Sequence, residues 1–117
     1  MNKGEMIFFI TRSLSNKKCQ NIVAIDVSAK TDVTEMYVLC SARNPSQAKA
    51  AYEEICAVLE PLGEYTYGVD GLRDGRWIVM DYGKIIVHIF HAGIRDLYRF
   101  EELWGDADGA NITHFDD

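Results

Sequence analysis

The sequence predicts a single α/β domain in which helices flank a mixed sheet of about five strands. Apolar residues recur at helical spacing near the start of the chain and again in its middle. The segments between and after these helices alternate apolar with polar residues or are rich in β-branched residues, as strands are. Because the chain has 117 residues, it has room for one domain with one modest core.

The chain is predicted to begin with a helix that two strands follow. The helix is predicted from four apolar residues at helical spacing: Met6, Ile7, Ile10 and Leu14. NIVAIDV predicts a first strand that ends at Asp26 or Val27, and EMYVLCSA predicts a second. The polar segment SAKTDVT between them is compatible with a β-hairpin connection or a wider loop.

The strongest helix signal lies in NPSQAKAAYEEICAVLEPLG. Asn44 can cap the exposed amides, and Pro45 fits the first helical position, where no N–H is needed. Gln47 stands where a capping box places its acceptor. Pro61 and Gly63 are expected to end the helix.

The segment RWIVMDYGKIIVHIF predicts two strands joined by a two-residue hairpin turn, after a short strand in EYTYGV and a loop in DGLRDG. The predicted register pairs Asp81 with Lys84, Val79 with Ile86, and Trp77 with His88. One strand face is then mixed in character: Trp77, Val79, Asp81, Ile86, His88 and Phe90. The other face is aliphatic and is expected to be core: Ile78, Met80, Ile85, Val87 and Ile89.

The segment HAGIRDLYRFEELWGDA predicts a turn followed by short helical segments. Arg95, Tyr98 and Glu101 recur every third residue and share one side. The apolar side is expected to consist of Leu97, Phe100, Leu103 and Trp104. We expect the domain to span residues 1–107 and residues 108–117 to form an acidic, irregular and mobile tail.

Charge and cysteine content narrow the classes of function. A net charge of −6 argues against nucleic-acid binding and favours a basic protein partner. The longest apolar runs are too short to span a bilayer, and the MIFFI patch is too short for a signal peptide. We therefore expect a cytoplasmic protein that contacts no membrane and keeps Cys19, Cys40 and Cys56 as reduced thiols.

WIVMDYGKIIVHIF followed by RDLYRFEELWGDA resembles the closing half of the ribosomal silencing factor family, also called Iojap-like proteins. The family pattern is a tryptophan strand, Asp-Tyr-Gly, a Val-His strand, then Arg, Tyr, Leu-Glu and Leu-Trp. The resemblance is dense over residues 77–107. It is weaker but colinear upstream, where NIVAIDVS and SQAKAAYEEI resemble the first strand and the long helix. CSARNPSQ departs from the usual Ser-Gly-x-Ser approach to that helix, so the resemblance leaves open whether residues 41–46 keep the family's contacts.

The resemblance implies a fold related to nucleotidyltransferases and a role without catalysis or cofactor. It implies binding to the large ribosomal subunit through ribosomal protein L-fourteen, which blocks joining of the small subunit when nutrients are scarce. An acidic protein with a mixed sheet face suits a basic ribosomal partner. The expected contact residues lie on the hairpin and in the loop before it: Trp77, Asp81, Tyr82, Asp70 and Asp74. Because apolar area on this face would be exposed, a homodimer is expected for the free protein.

Two polar residues of the hairpin have structural interpretations as well. Asp81 is expected to accept backbone amides in its turn rather than to act in catalysis. His88 is expected to be a packed neighbour of Trp77, so that glutamine in its place leaves most binding intact. A structural cluster is predicted to lock the C-terminal helix to the sheet: His88, Arg95, Tyr98, Glu101 and Trp104.

Alternative functions follow from the implied fold and from the mixed face. A metal-dependent nucleotidyltransferase needs Asp-x-Asp after a Gly-Ser turn, whereas the Asp-x-Asp here is Asp106-Ala107-Asp108, beyond the last helix. A metal site is not predicted, because His91 lies on the opposite strand face from His88 and His114 lies in the tail. A dimeric interaction module with a partner other than the ribosome remains open.

Overall fold

The computed structural model describes residues 1–91 and 94–115, with the side chains of Ile94 and Arg95 outside this description. These residues form three α-helices, α1 (Lys3–Asn16), α2 (Pro45–Leu59) and α3 (Ile94–Trp104), and a 3-10 turn, Glu60–Leu62, follows α2 directly. They also form six strands: β1 (Gln20–Asp26), β2 (Met36–Ser41), β3 (Gly68–Asp70), β4 (Trp77–Asp81), β5 (Ile85–Phe90) and β6 (Ile112–His114). The predicted α/β class is confirmed.

The strands form one mixed sheet in the order β3-β4-β5-β2-β1-β6. In the described part of the chain β2 and β5 pair in parallel, and the other neighbouring strands pair antiparallel. β1 pairs antiparallel with β2, and residues 27–35 connect them, so the strands form a hairpin with the wider of the two loops that the sequence left open. β5 lies in the middle of this arrangement and is buried along its whole length, as expected for a strand covered on both faces.

Helices cover the two faces of the sheet unequally. α1 and α2 pack on one face, where the aliphatic residues of β4 and β5 join the larger core, as predicted. α3 packs on the other face against β2 and β5, and its Leu97 is buried in a smaller core with Phe90. Leu103 was expected on the apolar side of this helix, but it is 72% exposed. The smaller core therefore rests on one short helix.

Local capping explains where α1 and α2 begin. Asn2 and Glu5 form a reciprocal capping box at the start of α1. The Asn44 side chain accepts the Gln47 N–H at 2.8 Å at the start of α2, which confirms the predicted cap. The Gln47 side chain accepts from the Arg43 N–H instead of from Asn44. Gly63 ends the turn after α2 in a left-handed conformation with φ 85°, as its position predicted.

The hairpin of β4 and β5 departs from the predicted register by two residues. The observed pairs are Asp81 with Ile86, Val79 with His88, and Trp77 with Phe90. The loop consists of Gly83 and Lys84, because the Tyr82 N–H donates to the Ile85 carbonyl at 2.9 Å. Gly83 has φ 82°, a conformation that favours glycine. Since the displacement is an even number of residues, every side chain stays on its predicted face.

The expectation of an irregular tail is wrong for residues 112–114, which form β6 at the edge of the sheet. β6 pairs antiparallel with Val23–Ile25 of β1. The Asn111 amide donates to the Asp26 carbonyl at 2.9 Å and to the Trp104 carbonyl at 3.1 Å. These bonds tie the segment both to β1 and to the end of α3, so β6 is a sixth strand of the sheet.

Candidate functional site

The α3 side of the sheet is covered only in part. α3 packs on β2 and β5, so β3 and β4 lie beyond its edge. We call this uncovered part the open face, and it presents Gly68, Asp70, Trp77, Val79 and Asp81. Its largest side chain is Trp77, which is 44% exposed. A half-exposed tryptophan on an open sheet face is the kind of side chain that anchors protein interfaces.

Trp77 is the exposed end of a continuous aromatic cluster. Its ring centroid lies 4.9 Å from that of Phe90 and 6.3 Å from that of Phe100 on α3. Tyr37 on β2 joins the cluster, with centroids 5.0 Å from Phe100 and 5.2 Å from Trp104. The indole thus packs on rings from β5 and α3, and Tyr37 of β2 packs on Phe100 behind them.

His88 lies inside this cluster and is 6% exposed. Its Nδ1 accepts the Trp77 indole N–H at 2.9 Å, and its ring centroid lies 4.4 Å from that of Phe100. Burial lowers the pKa of His88 to about 4, because the apolar surroundings disfavour the charged ring. The imidazole is therefore neutral at physiological pH and serves as an acceptor.

Asp81 has the turn role that the sequence predicted. Its Oδ1 accepts the Gly83 N–H at 2.7 Å, and the side chain is only partly buried. The carboxylate thus closes the turn, and Asp81 lies on the same strand face as Trp77.

Tyr82 is not a surface residue, which corrects its expected contact role. It is 7% exposed and belongs to the larger core under α2. Burial raises the pKa of its hydroxyl, and the nearby Cys56 thiol contributes in the same direction. Tyr82 was expected at the contact surface as part of the hairpin, but strand parity directs its side chain away from the open face.

The loop of residues 71–76 sets the position of Trp77. Gly71 has φ 79°, and a Cβ placed there would lie 1.9 Å from the Trp77 carbonyl oxygen. The Lys49 ammonium donates to the Arg73 carbonyl at 3.0 Å, which ties this loop to α2. Asp70 is exposed just before the loop and Asp74 is exposed within it, with the Asp74 carboxylate accepting the Arg76 N–H at 3.2 Å.

The predicted structural cluster is assembled only in part. His88 and Trp104 join through Phe100, which was predicted on the apolar side of α3, and through Tyr37, which was given no role from sequence. The Glu101 Oε1 atom lies 3.9 Å from Nε2 of His114 on β6. Tyr98 is 53% exposed, and the side chain of Arg95 lies outside the described residues. The predicted apolar side of α3 packs on the sheet through Leu97, Phe100 and Trp104, whereas Tyr98, expected to lock the helix to the sheet, is exposed.

Among the described residues, the cysteines and the remaining acidic groups do not assemble into a second site. Cys19 and Cys40 are buried and Cys56 is half-buried, as expected for core thiols. The Asp106 carboxylate pairs with the Lys30 ammonium at 2.8 Å. Across residues 1–91 and 94–115, no group of three His, Cys, Asp or Glu residues could hold a metal ion.

The helices in the described part of the chain are all too short or too polar to cross a membrane.

Comparison with known proteins identifies relatives of similar length. The family described as "Ribosomal silencing factor during starvation" matches residues 2–117. Ribosomal silencing factor RsfS of Bacillus subtilis is 28% identical over 112 residues, which cover 96% of this chain and 95% of that protein. RsfS of Haemophilus influenzae is 30% identical over 99 residues, which cover 85% of this chain and 97% of that protein. The crystal structure of a Chromobacterium violaceum protein superposes with a TM-score of 0.83 at 26% identity, covering 89% of this chain and 87% of that one. The chain therefore belongs to the ribosomal silencing factor family.

Proposed function

We propose that this protein represses translation by binding the large ribosomal subunit at ribosomal protein L-fourteen and thereby blocking the joining of the small subunit. Membership of the ribosomal silencing factor family supports the silencing role. The observation that carries the proposal on this chain is the half-exposed Trp77 on an otherwise uncovered sheet face. Activity on the ribosome places the protein in the cytoplasm.

The open face suits a basic protein surface. Trp77 supplies apolar contact area at its centre, and Asp70 and Asp81 add negative charge on the same face. The chain as a whole carries a net charge of −6, which favours approach to a basic ribosomal protein and disfavours approach to bare RNA. Asp74 contributes less, because Arg73 and Arg76 lie close to it in sequence and carry the opposite charge.

The proposed action is steric and needs no catalytic group. A domain of this size bound at the subunit interface would occupy space that the small subunit needs. The free protein is proposed to pair as a homodimer through the same apolar area, because soluble domains tend to cover such a surface. Binding to the ribosome and self-association would then compete for Trp77.

The test is co-sedimentation of the purified protein with isolated large and small subunits. The parent protein is expected to pellet with large subunits and not with small ones. Trp77→Ala should weaken this binding by about 2 kcal/mol or more, because truncation removes the central anchor. Asp70→Asn should weaken it mildly, and more at low salt than at high salt, because salt screens the charge.

A matched control separates the open face from exposed apolar surface in general. Leu103 is 72% exposed on α3, so Leu103→Ala removes a large apolar side chain elsewhere. It is expected to bind like the parent. Circular dichroism must show that each variant is folded. Parental binding by a folded Trp77→Ala variant would place the contact surface elsewhere on the domain.

A further inference from the structure

The polar atom of the Trp77 side chain points into the protein instead of towards solvent. The indole Nε1 donates to His88 Nδ1 at 2.9 Å, although the indole as a whole is 44% exposed. We infer that His88 is a positioning residue, whose Nδ1 fixes the indole so that its apolar ring surface, and not its N–H, faces the partner. This inference rests on the proposed function and names the group that prepares the anchor.

The hydrogen bond determines the protonation of the imidazole. Because Nδ1 of His88 accepts a hydrogen bond from the Trp77 N–H, the proton of the neutral ring must sit on Nε2. That nitrogen is buried and has no hydrogen-bond partner among the residues that the structure describes. The buried Nε2–H lacks a hydrogen bond, which is unfavourable, whereas Nδ1 is satisfied by the indole N–H. Nδ1 is therefore the atom through which His88 acts on Trp77.

Packing prevents His88 from leaving this position. Its ring is stacked on that of Phe90, with centroids 5.9 Å apart, and meets Tyr37 edge-on at 5.1 Å. Phe100 on α3 closes the remaining side at 4.4 Å. Because three rings hold His88 in place, its Nδ1 fixes the direction of the Trp77 N–H. The orientation of the indole is therefore set before a partner binds. Preorganisation of this kind reduces the ordering cost of binding.

The bond also constrains the chemistry of the partner. With its N–H occupied, Trp77 has only its π surface and ring edge to offer. Asp70 and Asp81 place negative charge on the same face, which favours a cationic side chain there. A lysine or arginine over the indole ring gains both the cation–π attraction and the charge complementarity. The anchor is thus shaped for a basic side chain and not for a hydrogen-bond acceptor.

This inference revises the expectation that His88→Gln leaves binding intact. In histidine, Nδ1 is bonded to Cγ, and the Oδ1 of asparagine occupies the same bonded position. The amide of glutamine lies one atom further out and corresponds to Nε2. His88→Asn therefore keeps an acceptor for the Trp77 N–H. His88→Gln moves the acceptor to the position of Nε2, and His88→Leu has no acceptor.

The experiment measures these three variants in the large-subunit binding assay and by NMR of the free protein. His88→Asn should bind like the parent, and His88→Gln and His88→Leu should bind about fivefold more weakly, the loss expected for one hydrogen bond. In the free protein, the Trp77 indole N–H resonance should keep its downfield position in the asparagine variant and move upfield in the other two. Trp77→Phe identifies that resonance, because it removes the indole.

The outcomes separate this inference from the proposed function. Equal weakening by all three folded variants, or parental binding by His88→Leu, would overturn the positioning role. If the Trp77 indole N–H resonance of the free protein keeps the same chemical shift in all three variants, the hydrogen bond to His88 is excluded. This result does not depend on binding to the ribosome. If the parent fails to bind large subunits while the resonance responds, the proposed function falls and the positioning role in binding falls with it.

A second pair of variants tests whether a cationic side chain of the partner lies over the Trp77 ring. Trp77→Phe keeps a π surface, whereas Trp77→Leu keeps only apolar area. Both variants lose the donor to His88, so the hydrogen bond does not distinguish them. The phenylalanine variant should bind about threefold more tightly than the leucine variant if a cation lies over the ring. Equal affinity of the two would exclude the cationic contact.

Discussion

The stability of the protein should depend on pH through His88. In the folded protein the pKa of this imidazole is lowered from 6.5 to about 4 by burial. The unfolded chain takes up a proton near its ordinary pKa, so between these two values the unfolded state binds more protons than the folded state. The free energy of unfolding contributed by His88 is therefore fully present above the ordinary pKa and is lost as pH falls through the window.

The size of this effect follows from the difference between the two pKa values. That difference corresponds to about 3 kcal/mol, which is a large part of the stability of a small domain. The conversion applies because His88 is 6% exposed, so solvent screens it little. Loss of the Nδ1 acceptor on protonation would also break the bond to Trp77, which acts in the same direction.

Urea unfolding followed by circular dichroism, from about pH 7 to about pH 4, measures this contribution. His88→Leu is the matched control, because it fills the site and cannot titrate. The free energy of unfolding of the parent should fall more steeply than that of the variant, and the difference between the two slopes isolates His88. Parallel pH profiles for the two proteins would refute the assignment of a buried neutral imidazole.

Three further predictions concern the loop, the oligomer and catalysis. Gly71→Ala should destabilise the fold by about 2 kcal/mol or more, and by more than Gly63→Ala, because only the former also meets the Trp77 carbonyl; urea unfolding compares them. Light scattering of the free protein should report a dimer that Trp77→Ala converts to a monomer, and a monomeric parent would exclude self-association. No Mg²⁺-dependent nucleotidyl transfer is expected, and ATP turnover that disappears in Asp106→Ala would contradict this.

Local signals allowed the helices and strand faces to be predicted from sequence. The cap at Asn44 and the proline at Pro45 act within one helical turn, so neighbouring residues are enough to recognise them. The two faces of β4 and β5 followed from the alternation of side chains, which depends only on position along the strand. The relation to nucleotidyltransferases, drawn from family resemblance, stays a prediction.

The features that the sequence argument missed depend on contacts between distant segments. β6 has only three residues, and it is held by pairing with β1 and by the bonds of Asn111 across the chain. The hairpin register depends on the pair that Tyr82 forms with Ile85 before the turn closes. Phe100 on α3 contacts Trp77, and Tyr37 on β2 contacts Phe100; both contacts form only because the fold brings these elements together.

Trp77 and His88 reverse the usual distribution of polar and apolar groups. His88, a polar side chain, is 6% exposed, and its Nε2 has no hydrogen-bond partner within residues 1–91 and 94–115, whereas the larger and more apolar Trp77 is 44% exposed. Both features are unfavourable for folding alone, since burial of an unbonded polar atom and exposure of an indole each cost free energy. Departures of this kind from ordinary folding preferences are expected at functional sites. The two become compatible if a partner covers the indole, because its apolar area is then removed from water and the buried imidazole has already fixed its orientation.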